Sequence, residues 1–291
     1  MKIDYVNWAP IITEFDLASA TQEDIDNISK LIATHTLVVI KKQRLTLSDE
    51  LRVVSMFKNI GSFLNDTDEQ MKLLEVAGTN GKLLRVGGKK NEYLVPGISD
   101  HKEEMAWHLD FHWSMKHDKV ALIWLHAVEG VEGSKTSWLN SIMAYEDLDE
   151  GTKHFLEKSS ATMARYVEFN ISRFSKDDDG TIWAPGEEFE NYEQSVTGTS
   201  PLGKKHLMFS FYNMHHINDL TREESKKIFS KLAEHMTQEK YCYHHEWELG
   251  DIVISDNRMG LHKRWEFDNI ENRLLHRAMF DYPDSFERDA R

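Results

Sequence analysis

From Lys82 onward the chain is broken into short apolar, β-branched runs that stop at turn residues, and this constrains its fold more than any other feature. The runs at 83–86, 120–125, 206–211 and 252–255 are too short for helices and read as buried strands. Helical spacing interrupts them twice. One stretch, 142–158, carries Ala144, Tyr145, Leu148 and Phe155; the other opens at Thr221 with Glu224 three residues on, a capping box, and continues through Ile228, Leu232 and Met236. Many short strands and few helices predict a mainly β protein, an antiparallel sandwich or barrel with helices packed outside, whose mouth can hold a small ligand.

The start of the chain reads differently. A helix begins at Thr21, with Ile25, Ile28, Leu31 and Ile32 on one face; a buried strand follows over 36–40. A second helix, capped by Thr46 or Ser48, is expected to run through Leu51, Val54, Phe57 and Lys58 and to stop at Gly61. With no repeat and no Pro- or Gly-rich linker, these elements predict one domain over 1–291, decorated at about 1–61. The stretch 175–200, acidic and turn-rich from 180 onward, is expected to be a long surface loop, either a lid or a plain insertion.

Composition removes several classes of function. Hydrophobic residues make up 40% of the chain, enough for a core, yet no run of 18 apolar residues could cross a membrane. The N-terminus lacks the basic and apolar regions of a signal peptide, and the single cysteine, Cys242, excludes an internal disulfide and a cysteine-rich zinc module. A reducing, cytoplasmic setting is expected. The net charge of −14 repels phosphate backbones, so nucleic acid is not an expected partner; homo-oligomerisation is left open.

There are 15 histidines, and two of them stand in suggestive places. In Trp107-His108-Leu109-Asp110, an extended backbone would put the His108 imidazole and the Asp110 carboxylate on one face. His262 follows Asp256-Asn257-Arg258, past a strand introduced by Gly250-Asp251. Together His108, Asp110 and His262 supply two imidazoles and one carboxylate, the facial triad of non-haem iron(II) oxygenases. Such an oxygenase, when it uses 2-oxoglutarate, needs a fixed cation for the far carboxylate of that acid. Arg277, with Arg273 four residues earlier, can supply it through the planar fork of arginine. The adjacent pairs His215-His216 and His244-His245 point to opposite faces of a strand and make poor metal arms.

Over roughly 36–281 the chain resembles the taurine dioxygenase and 2,4-dichlorophenoxyacetate dioxygenase family of iron(II)/2-oxoglutarate oxygenases. The likeness is carried by the run from Leu37 to Thr46, Trp107-His-Leu-Asp110, Gly133-Ser-Lys-Thr136, the segment from Asn140 to Leu148, Gly250-Asp251, Asp256-Asn-Arg258, His262, and Arg273 with Arg277. The resemblance implies a double-stranded β-helix, the cupin-like jelly roll. It implies iron on His108, Asp110 and His262, with Thr136 and Arg277 holding the far carboxylate of 2-oxoglutarate. It also implies O2 as oxidant and oxidation of an unactivated C–H bond, with release of succinate and carbon dioxide. The family's Gly-Gly-Asp-Thr is here Gly-Ser-Lys-Thr, which alters a turn. The family's sulfonate-holding histidine has no counterpart between Gly61 and Leu94, which argues against taurine. Trp107, Phe111 and Trp113 are expected near the metal, where they would suit an amino acid, amine or betaine. Two alternatives stay open: desaturation or cyclisation at the same centre, and a jelly roll that only binds a small molecule.

Overall fold

A computed structural model of the chain describes residues 1–61, 73–110, 121–163, 175–176, 182–183, 192–210 and 214–289. The first half of its elements runs β1 (Lys2–Val6), β2 (Ala9–Thr13), α1 (Gln22–His35), β3 (Leu37–Ile40), α2 (Leu47–Val54), β4 (Leu84–Val86), β5 (Met105–His108), β6 (Leu122–Glu129) and β7 (Lys135–Asn140). An insertion follows, with α3 (Ser141–Glu146), α4 (Glu150–Glu157), β8 (Ser160–Met163), β9 (Ser175–Lys176), β10 (Ile182–Trp183), β11 (Tyr192–Ser195), β12 (Thr197–Thr199), β13 (Lys205–Leu207), β14 (Met214–Ile217) and α5 (Arg222–Met236). The chain closes with β15 (Cys242–Glu246), β16 (Ile252–Asp256), β17 (Gly260–Arg264), β18 (Leu274–Phe280) and α6 (Asp284–Asp289).

A seven-stranded sheet has the order β1-β2-β3-β16-β6-β18-β4, and a four-stranded sheet the order β15-β7-β17-β5. Outside the insertion, successive strands from β4 onward alternate between the two sheets, except that β7 and β15 are neighbours in the small one. This alternation is the jelly roll that the sequence leads one to expect.

Side-chain alternation along each strand assigns the layers. On β6, Leu122 and Trp124 join the cluster under α1, while Ile123, Leu125 and Ala127 face the other way, toward the second sheet. On β18, Ala278 and Phe280 belong to the helix side, and Leu275 and Met279 to the inner side. Trp138 of β7 and Tyr243 of β15 meet Leu275 and Val253 between the sheets. The outer face of the small sheet, through Leu139 and Leu261, packs on the insertion. The site therefore lies between the sheets, with helices behind one wall and the insertion behind the other.

Capping chemistry places the helices as expected. Thr21, Thr46 and Thr221 each form a capping box, with Asp24, Asp49 and Glu224. Four expectations need correction. The N-terminal segment is more than a decoration, because the β1–β2 hairpin extends the large sheet through parallel pairing of β2 with β3. The second helix ends at Val54, and Gly61 uses its positive φ of 65° to donate to Met279 rather than to cap that helix. The stretch 142–158 is two helices, because Asp149 accepts from Thr152 N and starts a new one. Within 175–200, residues 192–195 and 197–199 are strands paired with β8 and β13 rather than loop; 177–181 and 184–191 lie outside the described residues. No helix among the described residues is long and apolar enough to cross a membrane.

Candidate active site

His262 on β17 pairs directly across from His108, the last residue of β5. Two residues further along β17, Arg264 pairs with Met105, so β5 spends three steps against two. This bulge breaks the alternation and turns both Met105 and His108 into the space between the sheets, where they line one pocket. Asp110 lies just past the strand and is held by its backbone. Asn257 Oδ1 accepts from Asp110 N at 2.9 Å, and Asn257 Nδ2 donates to Asp110 O at 2.9 Å.

The three side chains converge. His108 Nε2 is 3.6 Å and His262 Nε2 is 3.9 Å from the same carboxylate oxygen, Asp110 Oδ1, and the imidazole centroids are 4.1 Å apart. These gaps are long for hydrogen bonds. They suit donors that share one ion at about 2.1 Å each, which sit roughly 3–4 Å from one another. His108 Nδ1 donates to Ala106 O at 2.7 Å, which fixes its tautomer and leaves the Nε2 lone pair for a metal. Burial lowers both histidines, His262 to about 3 with help from His108, so both are neutral at neutral pH. Neutral imidazole and carboxylate are the donors that iron(II) accepts.

Three arginines line the pocket: Arg264, Arg273 and Arg277. Arg277 places Nη2 3.1 Å from Asp110 Oδ2, the oxygen turned away from the histidines. Arg264 donates to the carbonyls of His101 and Glu103, both at 2.7 Å, and so anchors the approach to β5. Arg273 is 2% exposed, and its Nε and Nη1 are buried without a hydrogen-bond partner. Burial, with repulsion from Arg264, pulls its guanidinium down to about 9, still charged at neutral pH. Its backbone is fixed by close approach. A Cβ on Gly87 (φ +117°) would collide with the Arg273 carbonyl, and one on Gly130 with that of Asn272. Thr136 lines the same pocket, and its Oγ1 accepts from Trp247 Nε1 at 2.9 Å, which leaves its own proton to donate. Apart from Ser99, the remaining walls are apolar: Val86, Ile98, Met105, Ile123, Leu125 and Leu275.

Sequence reasoning named His108, Asp110, His262, Thr136, Arg273 and Arg277, and the fold brings all six to one pocket. Trp107 is different: the bulge leaves it packed against the outer cluster of the small sheet, away from the pocket lining. Phe111 and Trp113 lie outside the described residues. Asn257, Trp247, Gly87 and Arg264 were not singled out for these roles. Only Asn257 carried a signal, its place inside Asp256-Asn-Arg258.

A profile described as "Taurine catabolism dioxygenase TauD, TfdA family" matches residues 6–279. The chain belongs to this family. It is 26% identical over 272 residues to an alpha-ketoglutarate-dependent 2,4-dichlorophenoxyacetate dioxygenase of Burkholderia sp. (strain RASC), covering 90% of this chain and 86% of that one. It is 24% identical over 196 residues to pentalenolactone F synthase of Streptomyces arenae, covering 64% of this chain and 65% of that one. The crystal structure of AAD-2 in complex with Mn(II) and N-oxalylglycine superposes with a TM-score of 0.70 at 18% identity, covering 97% of this chain and 99% of that one; this likeness concerns the fold. The family member described here is an iron(II)- and 2-oxoglutarate-dependent dioxygenase, an oxidoreductase that uses O2 and acts on a small organic molecule.

Proposed function

We propose that His108, Asp110 and His262 hold the iron, that Arg273 and Thr136 hold the far carboxylate of 2-oxoglutarate, and that the substrate is a small organic acid oxidised at a C–H bond. The observation that supports the first part is the convergence of two neutral imidazole nitrogens on Asp110 Oδ1. When bound, iron(II) and 2-oxoglutarate would together activate O2, the oxidant: one oxygen atom would go to the oxo acid as it loses carbon dioxide to become succinate, and the other would serve the oxidation of the C–H bond.

The protein's residues arrange this chemistry. Arg277 engages Asp110 Oδ2, which aims Oδ1 at the imidazoles. That contact makes Arg277 a poorer clamp for the cosubstrate than the sequence reading supposed. Arg273 is the better one, because its buried, unpartnered nitrogens await an anion. Thr136, oriented by Trp247, adds one hydrogen bond to the same carboxylate. The apolar walls keep water from the reacting bond.

Charge counting points to the substrate class. Iron(II) with Asp110 is plus one, Arg273 and Arg277 add two, and 2-oxoglutarate subtracts two. The pocket thus keeps a positive charge even before Arg264 is counted. An amine or betaine would meet these cations with the Asp110 charge already engaged, so a carboxylate or sulfate ester fits better. The likeness to a synthase supports a second outcome at the same centre, desaturation or ring closure in a biosynthetic route. Substrate-triggered succinate release tests the class. Small carboxylates and sulfate esters should stimulate it and matched amines should not; stimulation by amines alone would overturn the assignment.

A further inference from the structure

Behind the large sheet lies a second set of metal-capable side chains that the oxygenase reaction does not use. Among the described residues, two groups of three place their donor atoms within 4.8 Å of one another: His108, Asp110 and His262 are one, and Glu50, His126 and His276 are the other. Their construction is the same. His108 pairs across strands with His262, and His126 of β6 pairs directly with His276 of β18. In each case two imidazoles from adjacent strands meet one carboxylate, which in the first group is Asp110, two residues past His108. In the second it is Glu50, the fourth residue of α2.

Alternation puts His126 and His276 on the helix side of the sheet, in register with Trp124 and Ala278 and opposite to the pocket-lining Leu125 and Arg277. Glu50 is 2% exposed at the edge of an apolar cluster, a costly place for a carboxylate unless a specific partner compensates it. Its oxygens are tightly oriented. Oε1 accepts from Trp124 Nε1 at 3.1 Å, and Oε2 lies 2.7 Å from His276 Nδ1. His126 Nδ1 is buried 3.2 Å from Oε1, a close pairing without good hydrogen-bond geometry. Burial works to raise the Glu50 carboxyl, but the two imidazoles outweigh it and hold it at about 2, so the group is a ready anion.

We propose that Glu50, His126 and His276 form a second divalent-metal site, separate from the catalytic centre and structural in role. Two imidazoles and one carboxylate, without thiolate, match Zn2+ with a fourth position for water. The Trp124 N–H on the carboxylate is the outer hydrogen bond such sites use to orient a ligand. An ion here takes up the His126 nitrogen and pins α2 to β6 and β18, the two strands whose other face carries Leu125 and Arg277. The His276 side chain is 13% exposed and opens the site to solvent.

The test separates the two sites. The full-length His108→Ala/His262→Ala variant, which lacks the catalytic donors, is dialysed against Zn2+, and the bound metal is measured by mass spectrometry. The site predicts one zinc per chain and a zinc-dependent rise in Tm; adding Glu50→Gln or His276→Gln should abolish both. If those added substitutions prevent folding, Co2+ on the double variant decides instead. Intense visible bands of four-coordinate cobalt support the site, and a spectrum of hydrated cobalt overturns it. Failure of the double variant to bind zinc, or zinc binding that survives His276→Gln, would make the cluster a hydrogen-bonded network only.

Discussion

Replacing Arg273 with leucine should weaken 2-oxoglutarate binding and leave the ligand-free protein no less stable. Both signs follow from the same observation. Without 2-oxoglutarate, Arg273 is a buried cation whose Nε and Nη1 have no protein partner, which costs folding free energy; leucine removes that cost. In the complex those nitrogens meet a carboxylate. Deleting one partner of such a buried, charge-assisted pair costs about 3–5 kcal/mol. At roughly 1.4 kcal/mol per factor of ten, affinity should fall by about 100- to 4,000-fold. Thr136→Val removes one hydrogen bond to a charge, about 1.5–3 kcal/mol, and should cost less. The assay is calorimetric titration of 2-oxoglutarate into the Mn(II)-loaded protein without O2, with thermal melts of the metal-free variants. A less than tenfold loss for Arg273→Leu beside a much larger loss for Arg277→Leu would refute the reasoning and return the clamp to Arg277.

Asn257→Ala removes both hydrogen bonds that hold the Asp110 backbone, and iron affinity should fall about 10–100-fold with little change in 2-oxoglutarate affinity once metal is saturating; equilibrium dialysis reads this directly. Gly87→Ala forces a side chain at φ +117° into the Arg273 carbonyl and should destabilise by more than about 2 kcal/mol in urea unfolding, an effect that Gly203→Ala, with open space around it, should fall well short of. Metal-free protein should lose stability as the pH falls. The folded-state values of His108 and His262 lie below their unfolded value of about 6.5, so the unfolded chain takes up protons first, and the loss begins below that pH and for His262 continues toward about 3. Urea midpoints should show a shallower decline for His262→Gln; an identical slope would assign the effect to other groups.

What could be read from the sequence was local. The capping boxes at Thr21, Thr46 and Thr221 need only residues three apart, and each helix starts where they place it. The candidate triad was legible because Trp107-His-Leu-Asp110 and the run from Asp256 to His262 are compact motifs. Features that depend on pairing between distant strands were not legible. The β5 bulge that turns Met105 and His108 to the same side exists only against β17, and without it Trp107 looked like a pocket residue. The two arginines are four residues apart in sequence, but their roles diverge because Arg277 reaches Asp110 while Arg273 is fixed by the glycines behind it. His126 and His276 are 150 positions apart and become partners through register alone. Adjacent histidines drew attention instead, yet His244 is satisfied by Ser137 and Glu239.

The central claim, that His108, Asp110 and His262 form an iron centre competent to bind 2-oxoglutarate, is tested most directly by anaerobic titration. Fe(II) is added to metal-free protein, then 2-oxoglutarate, and the visible spectrum is followed for the unaltered chain and for His262→Ala. The account predicts a weak charge-transfer band that saturates at one 2-oxoglutarate per chain in the unaltered protein and is missing in the variant. A band of full intensity in His262→Ala, or none in the unaltered protein, would contradict it.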